Sequence, residues 1–193
     1  MRLRIRGLEV ITFALDAKPN LNADLAEGVG AAYASAGDTE LASIARDLGN
    51  VDIIVEATGH SPLMFEAMER LGKNGVLVLT GIAGGGRRGN DVHADHILQG
   101  FVLGNKVVVG SVNAARVDFE QGVADLVLAQ AWWPGWPTRL LTHRPHGPVL
   151  TACEPCGSGA GEWSSNKGRV LAICLANTAG SEVGSSQRPR SQT

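Results

Sequence analysis

Three short runs that are almost continuously apolar govern what this chain can become: IIVEA within Asp52–Ala57, VLVL within Gly75–Leu79 and VVVG within Lys106–Val112. Strands with one wet face interleave polar residues. Unbroken Val, Ile and Leu belong to strands covered on both faces, as in a parallel sheet. Two further short strands read at Leu8–Phe13 and Ala31–Ser35. Amphipathic stretches of helical length fill the gaps, at Asn22–Val29, Glu40–Leu48, Pro62–Leu71, Asp95–Leu103 and Arg116–Ala131. Boundary chemistry agrees. Ser61 reads as an N-cap with Pro62 in the first turn, and Gly49 and Gly72 stand where helices should stop. This alternation predicts an α/β fold built from βαβ units.

Composition narrows the class further. The chain has 193 residues with a net charge of −2, enough for one domain and too balanced for a field that gathers nucleic acid or anionic membrane. No apolar run approaches the ~20 residues of a membrane span. Arg2, Arg4 and Arg6 interrupt the apolar residues at the N-terminus, so a signal-peptide core is not formed there. Three cysteines in such a chain fit reduced thiols and a cytoplasmic location.

Beyond residue 144 the character changes. Gly, Ser and Pro supply 18 of the last 50 residues, 7, 7 and 4 respectively. That exceeds the roughly 25–30% typical of low-complexity sequence. Residues 1–143 are therefore expected to form the ordered domain and 144–193 a largely disordered tail. One run, RVLAICLA at Arg169–Ala176, is apolar enough for a buried strand or short helix.

Several stretches, in order GLEV, KPNLNADL, DIIVEATGHSPLMFEAMERLGKNGVLVLTG, FVLGNKVVVGSVNA, DFEQGVADL and PGWPTRLLTH, carry a specific likeness. Residues 7–143 resemble the C-terminal, nucleotide-binding half of archaeal-type glucose 1-dehydrogenases, zinc-dependent medium-chain dehydrogenases. The resemblance implies a Rossmann-type sheet, NADP or NAD as cofactor, and oxidation of an aldose to its lactone by hydride transfer. It also implies zinc in complete members, whose ligands come from a domain not encoded in these residues. Medium-chain dehydrogenases associate through their nucleotide domains, so a homo-oligomer through the edge strand Lys106–Val112 is a second expectation, as an interaction module rather than an enzyme.

The candidate site residues follow from strand ends, where α/β sheets bind ligands. After the strand ending at Phe13, Asp16 suits a ribose hydroxyl and hence NAD, whereas Lys18 suits the 2′-phosphate of NADP; the residues leave the preference open. Ala57 and Thr58 close the IIVEA strand with small residues that let an adenosine approach the backbone. By resemblance, Thr80, Gly81 and Ile82 together with Ser111, Val112 and Asn113 flank the nicotinamide ring, and Asn113 also reaches a sugar hydroxyl. No general base or nucleophile constellation is visible. The Gly81–Gly89 run reads as a flexible loop, because no Gly-Lys-Ser/Thr ending accompanies it. His143, His146, Cys153 and Cys156 read as a chance grouping, and His93 and His96 as surface residues. Trp132, Trp133 and Trp136 read as an apolar edge.

Within a dinucleotide-binding fold, Gly7–Phe13 is the second strand, entered from the last turn of a helix at Met1–Arg6. The expectation is therefore an incomplete Rossmann-type parallel sheet lacking its first strand and glycine turn. In the order 3-2-1-4-5-6 that strand is central. Its loss leaves two ladders unpaired, at ~1–3 kcal/mol for each buried orphan group. The sheet then splits, closes by direct pairing, or takes another segment into the gap, with RVLAICLA the spare candidate. The expected consequence is weak nucleotide binding and no glucose oxidation by the chain alone.

Overall fold

The computed structural model describes residues 1–83, 90–142 and 169–173. The chain opens with a short helix α1 (Arg2–Ile5), strand β1 (Glu9–Ala14), helix α2 (Leu21–Gly28) and strand β2 (Ala32–Ser35). Asn20 begins α2 by turning its side-chain carbonyl onto the Ala23 N–H at 2.8 Å, satisfying one of the free amides of the first turn. Helix α3 (Leu41–Leu48) buries Leu41, Ile44 and Ala45 and stops at Gly49, whose φ of 79° disfavours any residue with a Cβ.

Strand β3 (Ile53–Glu56) leads into α4 (Ser61–Arg70), then β4 (Val76–Leu79), α5 (Ala94–Gly104) and β5 (Val107–Gly110). The N-cap of α4 is His60, with no side-chain cap, and Ser61 is already helical. The expected Ser61 cap is thus displaced by one residue, because the Thr58–Gly59 turn enters the helix earlier than the Ser-Pro pair suggests. Helices α6 (Arg116–Trp132) and α7 (Trp136–Thr142) follow, and β6 (Arg169–Ile173) completes the described residues.

All six strands are parallel, in the order β2-β1-β6-β3-β4-β5. The α/β class and the Rossmann-type sheet stand as expected. The anticipated gap at its centre is filled by β6. Leu171 lies opposite Ile11 on one side and Ile54 on the other; Ile173 lies opposite Phe13 and Glu56. Expectation of an open spine is therefore corrected: an apolar segment from the end of the chain partners both ladders, removing orphan groups that would otherwise destabilise the sheet. The rest of the 144–193 tail lies outside the described residues.

Each face of the sheet has its own core. Phe13, Leu41, Ile44, Val51, Ile54, Ala67 and Leu77 pack on the side of α3 and α4. Val10, Leu25, Val29, Ala129 and Trp136 pack on the side of α2, α6 and α7. The alternation along β1 explains why Val10 and Phe13 serve opposite cores. Trp136 is buried and donates from Nε1 to the Leu25 carbonyl at 2.6 Å, while Trp132 stays largely exposed. The tryptophan cluster is thus core on one side and edge on the other. Buried Asp125 ties α6 to α1 through Arg2 at 3.1 Å. Strand β5 also departs from the sequence reading, which made it as buried as the others. Val107 and Val109 are 48% and 44% exposed, because β5 is the outer strand and only one neighbour covers it.

Candidate functional site

The turns that leave β3 and β4 are locked together. Glu56 is fully buried at the end of β3. Its Oε1 accepts hydrogen bonds from the Thr58 N–H at 2.6 Å, the Gly59 N–H at 3.2 Å and the Thr58 hydroxyl. The Thr58 oxygen in turn accepts the His60 N–H at 2.9 Å. One carboxylate oxygen therefore shapes the whole turn, and the other, Oε2, has no hydrogen-bond partner among the described residues. The backbone carbonyl of Glu56 accepts from the N–H groups of Thr80 and Gly81 and from the Thr80 hydroxyl at 3.0 Å.

Two glycines make this contact possible. A Cβ on Gly81 would lie 2.2 Å from the Gly59 nitrogen, and one on Gly59 would lie 2.3 Å from the Ile82 carbonyl oxygen. Gly59 also has a φ of +71°. Backbone meets backbone here, and no side chain fits between. Of the sequence-derived candidates, Thr58, Thr80, Gly81 and Ile82 are thus brought together, with Ala57 exposed beside them. Ile82 projects 84% exposed from the edge.

Asp16 stands apart, on the loop after β1. Its backbone carbonyl accepts the Tyr33 hydroxyl at 2.8 Å, and Asn20 Nδ2 donates to the same Tyr33 oxygen at 3.2 Å. Ser35 donates to the Leu15 carbonyl at 3.4 Å. Two side chains of β2 therefore set the path of this loop. Lys18 pairs with Glu27 on α2. Ser111, Val112 and Asn113 lie beyond β5, exposed to solvent. They are tied to the sheet by the Ser111 N–H, which donates to Leu79 O at 2.9 Å, and Asn113 adopts a left-handed φ of 68°. That is the conformation for which Asn is suited.

Between the β1 and β3 ends, over the side of the sheet carrying α3 and α4, lies a cavity of about 670 Å³. Phe13, Leu15, Leu41, Pro62 and Leu63 give it apolar walls; Thr39, Glu40, Thr58, His60, Glu66 and Arg70 add polar groups. Thr58 is the one lining residue that belongs to the sequence-derived site. The remainder were not legible, because they come from four segments whose convergence depends on the fold. Leu15, exposed at a strand end, was the available signal.

His93 and His96 are exposed, as expected. The other His/Cys grouping, at 143–156, and residues 84–89 of the glycine-rich run lie outside the described residues. Among the described residues, no three His, Cys, Asp or Glu side chains converge as metal ligands, and no helix is long and apolar enough to cross a membrane.

The strand order, with its crevice at the carboxyl edge, is that of a Rossmann-type sheet. The family described as "Glucose dehydrogenase C-terminus" matches residues 1–151. The chain belongs to that family. A glucose 1-dehydrogenase of Methanocella arvoryzae is 39% identical over 142 residues, which is 74% of this chain and 39% of the relative. The glucose 1-dehydrogenase of Thermoproteus tenax is 36% identical over 142 residues, again 39% of its length. The chain spans about two fifths of the length of these curated relatives. Among solved structures, the Haloferax mediterranei glucose dehydrogenase D38C mutant aligns with a TM-score of 0.59 at 23% identity, over 70% of this chain and 38% of that one. The Haloferax enzyme in complex with NADP, Zn and gluconolactone aligns with a TM-score of 0.56 at 20% identity, covering 71% and 45% of the two chains. At such identities the likeness speaks for the fold.

Proposed function

We propose that this chain forms the dinucleotide-binding part of a glucose 1-dehydrogenase-type oxidoreductase and holds NAD or NADP along the carboxyl edge of its sheet. The observation that carries this is the cavity. It opens where the strand order changes direction, between the ends of β1 and β3, which is where open α/β sheets take nucleotides. Its apolar walls suit an adenine ring, and its size lies within the ~300–1,000 Å³ of small-molecule sites. Asp16 follows the lining residue Leu15 in the chain and is assigned to the ribose. The locked Thr58 and Thr80–Ile82 turns give a rigid rim along which the cofactor runs toward Ser111–Asn113, where Asn113 offers its amide to a sugar or ribose hydroxyl.

The nicotinamide, when bound, supplies hydride acceptance. The residues of this chain bind and orient it: Leu15 and Leu63 exclude water from the adenosine end, and the Glu56 carboxylate keeps the Thr58–Gly59 turn in its receiving shape. The family also implies zinc. The described residues present no donor set that fits it. On this reading the 193 residues bind nucleotide and do not oxidise glucose by themselves. The nucleotide-binding unit comprises residues 1–143 completed by β6. Calorimetric titration of the 193-residue protein with NAD⁺ and NADP⁺ should show saturable binding, with no glucose-dependent reduction of either. Turnover with glucose, or absence of any binding, defeats the reading.

A second reading rests on β5. Its Val107 and Val109 are exposed on an outer strand, which suits pairing with another dehydrogenase subunit. Analytical ultracentrifugation of the chain, alone and with a full-length relative, distinguishes association from a monomer.

A further inference from the structure

We propose that the slot between β1 and β3 is a strand-acceptor site, filled in the monomer by the chain's own β6 and able to take the same strand from a second copy. The partner is thus this protein itself, and the exchanged element is a short, parallel, apolar strand. The proposal goes beyond the nucleotide-binding reading and does not depend on it.

The slot has two parallel walls, β1 from Glu9 to Phe13 and β3 from Ile53 to Glu56, and β6 is in register with both. Val10, Phe13, Ile54 and Glu56 are buried along these walls, so an apolar occupant is required. The walls are also tied to each other over both faces of the sheet. Phe13 and Ile54 share the core under α3 and α4, and Ile53 packs against the core that holds Val10. At the entry end, Glu9 is exposed and stands opposite Arg169 in the ladder. An acid beside a base favours this register over a slip by one residue, which would also turn every side chain to the other face.

The strand reaches this slot from a distant part of the chain. Helix α7 ends at Thr142 and β6 begins at Arg169, so residues 143–168, 26 in all, tether the strand to its frame. Backbone geometry lets a tether of that length reach up to ~90 Å, whereas a domain of this size is roughly 40 Å across. The same covalent connection can therefore deliver β6 to a neighbouring molecule or to its own. The ladder formed is identical in the two cases, so linkage entropy alone separates them. A tethered strand has an effective concentration on the order of 1 mM. Own-chain occupancy accordingly wins in dilute solution, and reciprocal exchange competes as the protein approaches that concentration.

The test is refolding of the full 193-residue chain from urea under reducing conditions, followed by dilution and analytical ultracentrifugation. The dimer fraction should rise at least about tenfold between refolding at ~10 µM and at ~1 mM. That dimer should outlast dilution, because its release requires unfolding. A dye-labelled peptide of Arg169–Ala176, added in excess during refolding, should be retained by the chain and suppress the dimer. The same peptide carrying Ala172→Pro should do neither, since proline removes an N–H that a central strand needs. A monomer at every refolding concentration overturns the proposal, as does failure of the chain to retain the unaltered peptide. A dimer that excess peptide leaves unchanged also overturns it, and assigns association to the outer strand β5 instead.

Discussion

Strand β3 has a neighbour on each side, sends Ile54 into the core under α3 and α4, and packs Ile53 against the opposite core. Strand β5 has one neighbour and leaves two of its three valines nearly half exposed. Both are four-residue β-branched strands of the same sheet. Burial here is thus a property of the place a strand occupies, set by how many partners the topology gives it. The candidate site follows the same division. Its close-packed part, around Glu56, Gly59 and Gly81, grows mainly from the doubly flanked centre; its exposed part, Ser111–Asn113, grows from the edge.

Substitutions can break or sharpen that contrast. The largest effect should come from Ala172→Pro, which takes an N–H out of the strand that joins the two halves of the sheet. Unpairing this centre competes with the whole ~5–15 kcal/mol stability of a domain, so the urea transition followed by circular dichroism should disappear. Retention of a cooperative transition would show that the halves stand without β6. Next, Ile54→Ala in β3 should cost ~2–5 kcal/mol, whereas Val109→Ala in β5 should stay within about 0.5 kcal/mol. Equal losses would erase the distinction between centre and edge.

Gly81→Ala drives a methyl into the Gly59 backbone and should cost ~1–3 kcal/mol. It should also weaken nucleotide binding, because the rim must shift to accept it. The smallest effect concerns Lys106, at the entrance to β5, whose pKa is lowered from 10.5 by burial. Its folded pKa lies below its unfolded value, so the unfolded chain holds the proton to higher pH. Stability should consequently rise slightly as pH climbs through the folded pKa toward 10.5, and Lys106→Met should flatten that slope in urea titrations.

Much of this was legible from residues alone, for reasons the particular segments show. The strands around Ile54 and Leu77 announce themselves by unbroken apolar runs, and α3 by its Leu41, Ile44, Ala45 spacing and Gly49 stop. Their strand ends made Thr58 and Gly81 site candidates, and the structure brings the two turns into contact. Helix α7 was not read, because Pro134 and Pro137 interrupt any helical pattern in PGWPTRLLT. The apolarity of RVLAICLA was plain and made it the spare candidate for the gap, but its register was not legible. Pairing Val10 with Val170 leaves no mark in either segment's local pattern. Glu56 was visible as a strand-ending acid, while its three-donor grip on the turn depends on burial that only the assembled sheet supplies.

The place of β6 also sets a timetable. Val10 and its partner Val170 are 160 positions apart, so among the described strands this central rung is synthesised last. At ~5–20 residues per second, it leaves the ribosome roughly 8–30 s after the strand it must join. Throughout that interval the nascent protein carries two facing edges that nothing yet covers, which makes it a natural client for chaperones that shield strand edges until translation ends.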